Sequence, residues 1–183
     1  MTMKKMLYGG LLLIGIALIA AFTLPSKPAP ESPVADAIKW YTWEQAQAEM
    51  KKQPKKLFID VYTDWCGWCK RMDQTTFQDP AVVEYMNKNF YAVKFDAEQK
   101  ADVNYNDHTF KFIAQGNRGV HELAYALLDG RLGYPSYVYL NEKQERITIS
   151  PGYKAADALM KEMQFIGGEH YKTKSYQDYM SGN

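Results

Sequence analysis

The chain has 183 residues, 46% of them hydrophobic, 14% aromatic and 23% charged, a globular balance that excludes a disordered or fibrous protein. A formal net charge of +1 supplies no bulk field to attract nucleic acid or acidic substrates. Two cysteines in all exclude the multi-disulfide scaffold on which small secreted domains rely.

Lys4 and Lys5 precede an uncharged run from Leu7 to Leu24. That run is long for a signal-peptide core of roughly 7–15 residues and a little short of a full membrane span of roughly 20. Residues 1–24 are therefore expected to be an N-terminal membrane anchor or signal segment, with an uncleaved anchor favoured over a cleaved signal. Either one exports the rest of the chain and leaves the lysines in the cytoplasm. Residues 25–38, with "PSKPAPESP", read as a Pro-rich linker.

Thr42 and Gln45 form a capping-box pattern that predicts a helix from Trp43 to about Lys52. "LFIDVYT" (57–63) is apolar enough for a buried strand apart from Asp60, and it runs straight into a helix expected over 66–74. Asp79-Pro80 is an N-cap followed by proline at the first helical position, opening a helix to about Asn87. "FYAVKFD" (90–96) is a second buried strand. Residues 97–107 read as turn-like, "HTFKFI" (108–113) as a short strand and "QGNRG" as a turn. Apolar residues at 120, 123, 124, 127 and 128 mark a helical face, ended by Gly130. "PSYVYLN" (135–141) and "RITIS" (146–150) are strands, "KAADALMKEMQFI" (154–166) is an amphipathic helix, and the tail (169–183) is expected to add a short final helix. This order implies an α/β fold with a mixed sheet flanked by helices.

The two cysteines lie within "DWCGWCK" (64–70). Cys66 and Cys69 are three residues apart, so on a helix they share a face and can form a disulfide. A strand leading into that helix puts Cys66 at the N-terminus, where the helix dipole favours a thiolate, with Cys69 one turn inside and shielded. An exposed nucleophile and a buried resolving thiol are what thiol–disulfide exchange requires. The same spacing also occurs in metal sites, and soft thiolates suit copper. A closed zinc site would need two further ligands that no second CxxC supplies. Asp60, an acid in an apolar strand, calls for a task or a partner. It either takes a proton from Cys69 or pairs with a lysine, and Lys94 in the next strand serves both readings. His121-Glu122 has the start of a zinc-helix pattern, but Tyr125 stands where the second histidine belongs. His108, His121 and His170 are read as ordinary surface or strand residues.

With "FID" before "DWCGWCK", then "VKFD", "GYPS" and "SPGY" in order, the chain resembles the thioredoxin-fold family. The segment from "DWCGWCK" through "VKFDAE" (64–98), with its "TFQDP" turn, resembles its exported thioredoxin-like members of the thioredoxin-7 or DUF255 type. Residues 39–168 are accordingly expected to form a thioredoxin-like domain. The resemblance implies that Pro135 is cis and that the Tyr134 backbone pairs with a bound substrate chain like an added strand. Catalysis is thereby assigned to Cys66, Cys69 and Asp60, tuning to Lys94, and substrate binding to Trp65, Gly67, Trp68, Tyr134 and Pro135. The family's proline before the second cysteine is replaced here by Trp68, and the stretch between Asp96 and Pro135 is longer than the compact family core requires.

The function expected is a thiol–disulfide oxidoreductase acting on exported proteins, with reduction or isomerisation favoured. No cofactor, bound metal or nucleic acid is expected. Its partners would be protein disulfides, a membrane donor or acceptor of electrons and, if residues 7–24 stay attached, the membrane on its extracytoplasmic (periplasmic) side. A thiolate copper-binding module on the same fold is the alternative.

Overall fold

The computed structural model describes residues 37–182, so the expected N-terminal segment (1–24) and nearly all of the linker (25–38) lie outside it. A short strand, β1 (Trp40–Tyr41), leads into α1 (Trp43–Lys52). A full capping box starts that helix: the Gln45 N–H donates to Thr42 Oγ1 at 3.2 Å, and the Thr42 N–H donates to the Gln45 side chain at 2.9 Å. β2 (Lys56–Tyr62) is buried almost throughout and delivers the chain to α2 (Gly67–Gln74). After a 3-10 turn at Thr76–Gln78 comes α3 (Pro80–Asn89), where Asp79 Oδ1 accepts from the N–H groups of Ala81 and Val82. β3 (Phe90–Asp96) follows directly.

Between β3 and the next long strand the chain builds two small hairpins. β4 (Val103–Tyr105) pairs with β5 (His108–Phe110), and β6 (Phe112–Gln115) with β7 (Arg118–His121). α4 (Glu122–Leu127) completes this insertion. Then come β8 (Ser136–Leu140), β9 (Arg146–Pro151), α5 (Ala156–Gly167) and α6 (Tyr176–Ser181). The short final helix expected of the tail is α6, held by ring contacts of Tyr176 and Tyr179 with Phe165.

The insertion departs from the sequence reading in three places. The polar stretch 97–107 contains β4, because Asn106 and Asp107 both take positive φ (51° and 60°) and close a two-residue hairpin. The expected strand over 108–113 is two strands, divided where Lys111 turns to Glu122. There the Lys111 N–H donates to Glu122 Oε2 at 2.7 Å and the Glu122 N–H donates to the Lys111 carbonyl at 2.8 Å. The helix expected from Val120 begins only at Glu122, since Val120 and His121 end β7.

The main sheet has the order β1-β3-β2-β8-β9. β3 runs parallel to β1 and β2, while β8 is antiparallel to β2 and β9, which is the mixed sheet the element order implied. Alternation along β2 sends Leu57, Ile59 and Val61 into the core shared with α1 and α4, and Phe58 into the core shared with α3 and α5. Phe58 stacks on Tyr137 with centroids 5.3 Å apart and meets Phe77 and Tyr139 edge-on. Asp60, two residues on, shares the Phe58 face, which also carries Met72 of α2.

Candidate active site

The turn between β2 and α2 positions the cysteines. The Cys66 N–H donates to the Thr63 carbonyl at 3.1 Å, and the Cys66 carbonyl accepts from the Lys70 N–H at 3.2 Å, opening the helix. Cys66 is the N-cap residue of α2, and its Sγ accepts from the Cys69 N–H at 3.0 Å. The two form a disulfide, with Cα atoms 5.3 Å apart. Cys69 is 2% exposed, as its place one turn into the helix implies, but Cys66 is only 4% exposed. In the disulfide state the cap geometry turns the Cys66 sulfur inward, toward the Cys69 amide, which the expectation of an exposed nucleophile did not anticipate. Gly67, at the first helical position, has open space where a side chain would stand.

Beneath the helix lies an ion triad. Lys94 of β3 stands opposite Asp60 in register and donates to Asp60 Oδ2 at 2.7 Å. Its ammonium also makes a short hydrogen bond to Oδ1 of Asp73, which belongs to α2. The rings of Trp40, Tyr62 and Phe77 surround the same ammonium at 4.8–5.4 Å. Burial raises the Asp60 carboxyl to about 6, against the pull of Lys94 and with help from the Asp73 charge. Burial opposes the Lys94 ammonium too, yet the two carboxylates outweigh it and hold its pKa above the ordinary lysine value. Asp60 Oδ1 and the Tyr137 hydroxyl, which face each other's strands in register, are buried without a hydrogen-bond partner. Burial, then the Asp60 charge, pushes the Tyr137 phenol far up. Thus Asp60 pairs with Lys94 and, through that lysine, with the cysteine helix.

The rim is aromatic. Trp65 is 51% exposed and Trp68 61%. Trp65 meets Tyr134 edge-on at 5.9 Å, and Trp68 meets Tyr153 at 5.3 Å. The Tyr134-Pro135 peptide is cis, as the resemblance implied. Because Val61 is opposite Ser136, the Tyr134-Pro135 loop sits at the sheet end from which β2 runs into the cysteines. Burial, with the charges of Glu98 and Asp96, pushes the Tyr134 phenol up to about 12.

Sequence reasoning missed Asp73, Arg118 and Tyr153. Asp73 lies four residues after Cys69, hence on the same helical face, and that spacing could have flagged it. Arg118 comes from β7, and its guanidinium lies 4.6 Å over the Trp65 ring. Nothing local in the sequence signals that contact. His121 is a strand residue, as expected, the last of β7, and it is fully buried: its Nδ1 accepts from the Leu123 N–H at 3.2 Å and caps α4, while Nε2 lies 3.1 Å from the Ala101 carbonyl. Among the described residues no three His, Cys, Asp or Glu side chains are grouped to hold a metal.

Comparison with known proteins places this geometry. Among curated relatives, the uncharacterized protein B0495.5 of Caenorhabditis elegans is 32% identical over 83 residues, 45% of this chain and 11% of that protein. The thiol:disulfide interchange protein DsbD of Campylobacter jejuni (strain RM1221) is 24% identical over 122 residues, 67% of this chain and 18% of that protein. The chain thus spans less than a fifth of either relative's length. Among solved structures, a thioredoxin-fold protein from Helicobacter pylori aligns over 82% of this chain and 89% of its own, with TM-score 0.55 and 14% identity. The Thioredox_DsbH family model, described as a protein of unknown function, DUF255, matches residues 31–167. The chain belongs to that DUF255 family, and its fold is that of thioredoxin.

Proposed function

We propose that this protein is a thiol–disulfide oxidoreductase that works through Cys66 and Cys69 on exported proteins, with reduction or isomerisation as its direction. The observation that carries the proposal is the Cys66–Cys69 disulfide at the N-terminus of α2. Similarity to a thiol:disulfide interchange protein supports it.

In the reduced protein, the Cys66 thiolate attacks one sulfur of a substrate disulfide. That S–S bond breaks, a mixed disulfide forms, and the other substrate sulfur leaves as a thiolate that takes a proton from water. Asp60 then accepts the Cys69 proton. The Cys69 thiolate attacks Cys66 Sγ, the mixed disulfide breaks, and the second substrate sulfur leaves. Two electrons have passed from the dithiol to the substrate, and the Cys66–Cys69 disulfide is the product. Trp65, Gly67, Trp68 and the Tyr134-Pro135 loop form the docking surface. A membrane electron donor would return the pair to its reduced state, and residues 7–24 would hold the domain at the extracytoplasmic face.

Insulin reduction by dithiothreitol tests the reading on the full chain and on Cys66→Ser. Acceleration by the wild type and none by the variant is expected. A silent wild type that instead retains stoichiometric copper would replace the enzyme with a metal module. A strongly oxidising midpoint in a redox titration would reverse the direction. For the export reading, a mature N-terminus near residue 36 in protein from its host would exclude the uncleaved anchor.

A further inference from the structure

Beside the disulfide the insertion adds a wall to the thioredoxin fold. A groove of about 310 Å³ runs between the β6–β7 hairpin and the Tyr134 loop, lined by Trp65, Glu98, Arg118, Leu132 and Tyr134 among others. Trp65 and Leu132 expose much of their apolar surface there. Arg118 is the basic residue of this groove, and its guanidinium carbon lies 4.6 Å over the ring of Trp65, the residue that immediately precedes Cys66. Stacking holds a guanidinium in place while leaving its N–H edge open to a carboxylate. Arg118 forms no ion pair among the described residues, with Glu98 or any other acid. Glu98 acts at the Tyr134 end of the groove, where its charge helps to raise that phenol. The groove therefore carries one positive group, stacked on the residue next to Cys66, and one negative group, Glu98. The hairpin that supplies Arg118 is closely packed: at Gly119 a side chain would meet the Phe112 ring at 2.3 Å and the Ile113 carbonyl at 2.4 Å.

We propose that Arg118 is a specificity-determining residue: it binds the carboxylate of an acidic side chain next to the substrate cysteine, while Trp65 and Leu132 cover the adjoining apolar part of that chain. The proposal rests on the oxidoreductase reading and names the class of substrate that reading left open, extended protein segments with Asp or Glu flanking the target cysteine. The contact is charge-assisted, partly exposed and sensitive to salt.

The test uses two peptides with one internal disulfide, identical except that Glu or Lys flanks each cysteine, and the pre-reduced full chain. Wild type should reduce the Glu peptide with a single-turnover second-order rate constant about fivefold or more above that for the Lys peptide, the size of one such contact. Arg118→Glu should invert the order and Arg118→Lys should keep it. Loss of activity on both peptides in equal measure would mean that the arginine only supports the hairpin, and equal rates in the wild type would mean that no charge is read. Either result overturns the proposal. Titration of the same chains with Ser-for-Cys peptides gives a readout independent of redox chemistry. If neither disulfide peptide is reduced, the oxidoreductase reading fails, and the binding order alone decides for or against Arg118.

Discussion

Asp60 sits buried in the middle of the central strand, with one carboxylate oxygen on the Lys94 ammonium, and burial acts against its charged form. Its folded pKa of about 6 stands above the ordinary carboxylate value of 3.8, so the folded chain holds this proton more tightly than the unfolded chain does. The stability so contributed is complete below about pH 4 and is lost as the pH rises through about 6. Urea unfolding of wild type and Asp60→Asn should therefore diverge across that window, the wild type losing about 3 kcal/mol relative to the variant. Parallel curves would place the Asp60 pKa near its ordinary value. Asp73 shares the Lys94 ammonium and adds negative charge near Asp60. In Asp73→Asn that lysine serves Asp60 alone, and the Asp60 midpoint, followed by carboxyl carbon NMR, should move down. An upward move would contradict the triad.

At the scale of elements, most of the sequence reading rested on end signals, and those signals are local. Thr42 with Gln45 and Asp79 with Pro80 start α1 and α3 through hydrogen bonds that lie within three residues of each other. β2 and β3 were legible because strands buried on both faces read as continuous apolar runs. The insertion was not legible, since its boundaries depend on contacts between distant residues. Lys111 breaks a strand by pairing with Glu122, and α4 is capped by a histidine, a residue type that cap statistics do not flag. At the site, Cys66, Cys69 and Asp60 were named from spacing and from one misplaced charge. Arg118 became visible only when the hairpin folded against Trp65. The hairpin's integrity can be tested at Gly119, where Phe112 could move aside but the Ile113 carbonyl could not. Gly119→Val should cost about 1–3 kcal/mol by overpacking and should weaken β6–β7 first, seen as faster amide exchange there than in β2 or β8. Unchanged exchange would show that the hairpin yields without strain.

Over the whole molecule, the sheet separates two cores and gives each a task. One core, under α1 and α4, supports the insertion; the other, under α3 and α5, backs the cysteine helix through Met72 and Phe77. Phe58 is the centre of the second, fully buried and in contact with three aromatic rings of that core. Phe58→Ala should destabilise the domain by about 3–5 kcal/mol, whereas Trp65→Ala, at an exposed ring, should leave stability nearly unchanged and lower kcat/KM on protein substrates. The fold thus keeps its stability in the aromatic core, while the proposed recognition falls to the exposed rim. In the proposed reaction Cys66 attacks and Cys69 resolves. The most direct test is to mix Cys69→Ser and Cys66→Ser full chains with a disulfide substrate and weigh the products by intact mass without reductant. A stable mixed disulfide on Cys66 is expected in the first variant and no adduct in the second. An adduct on Cys69 alone, or on neither cysteine, would contradict that reaction.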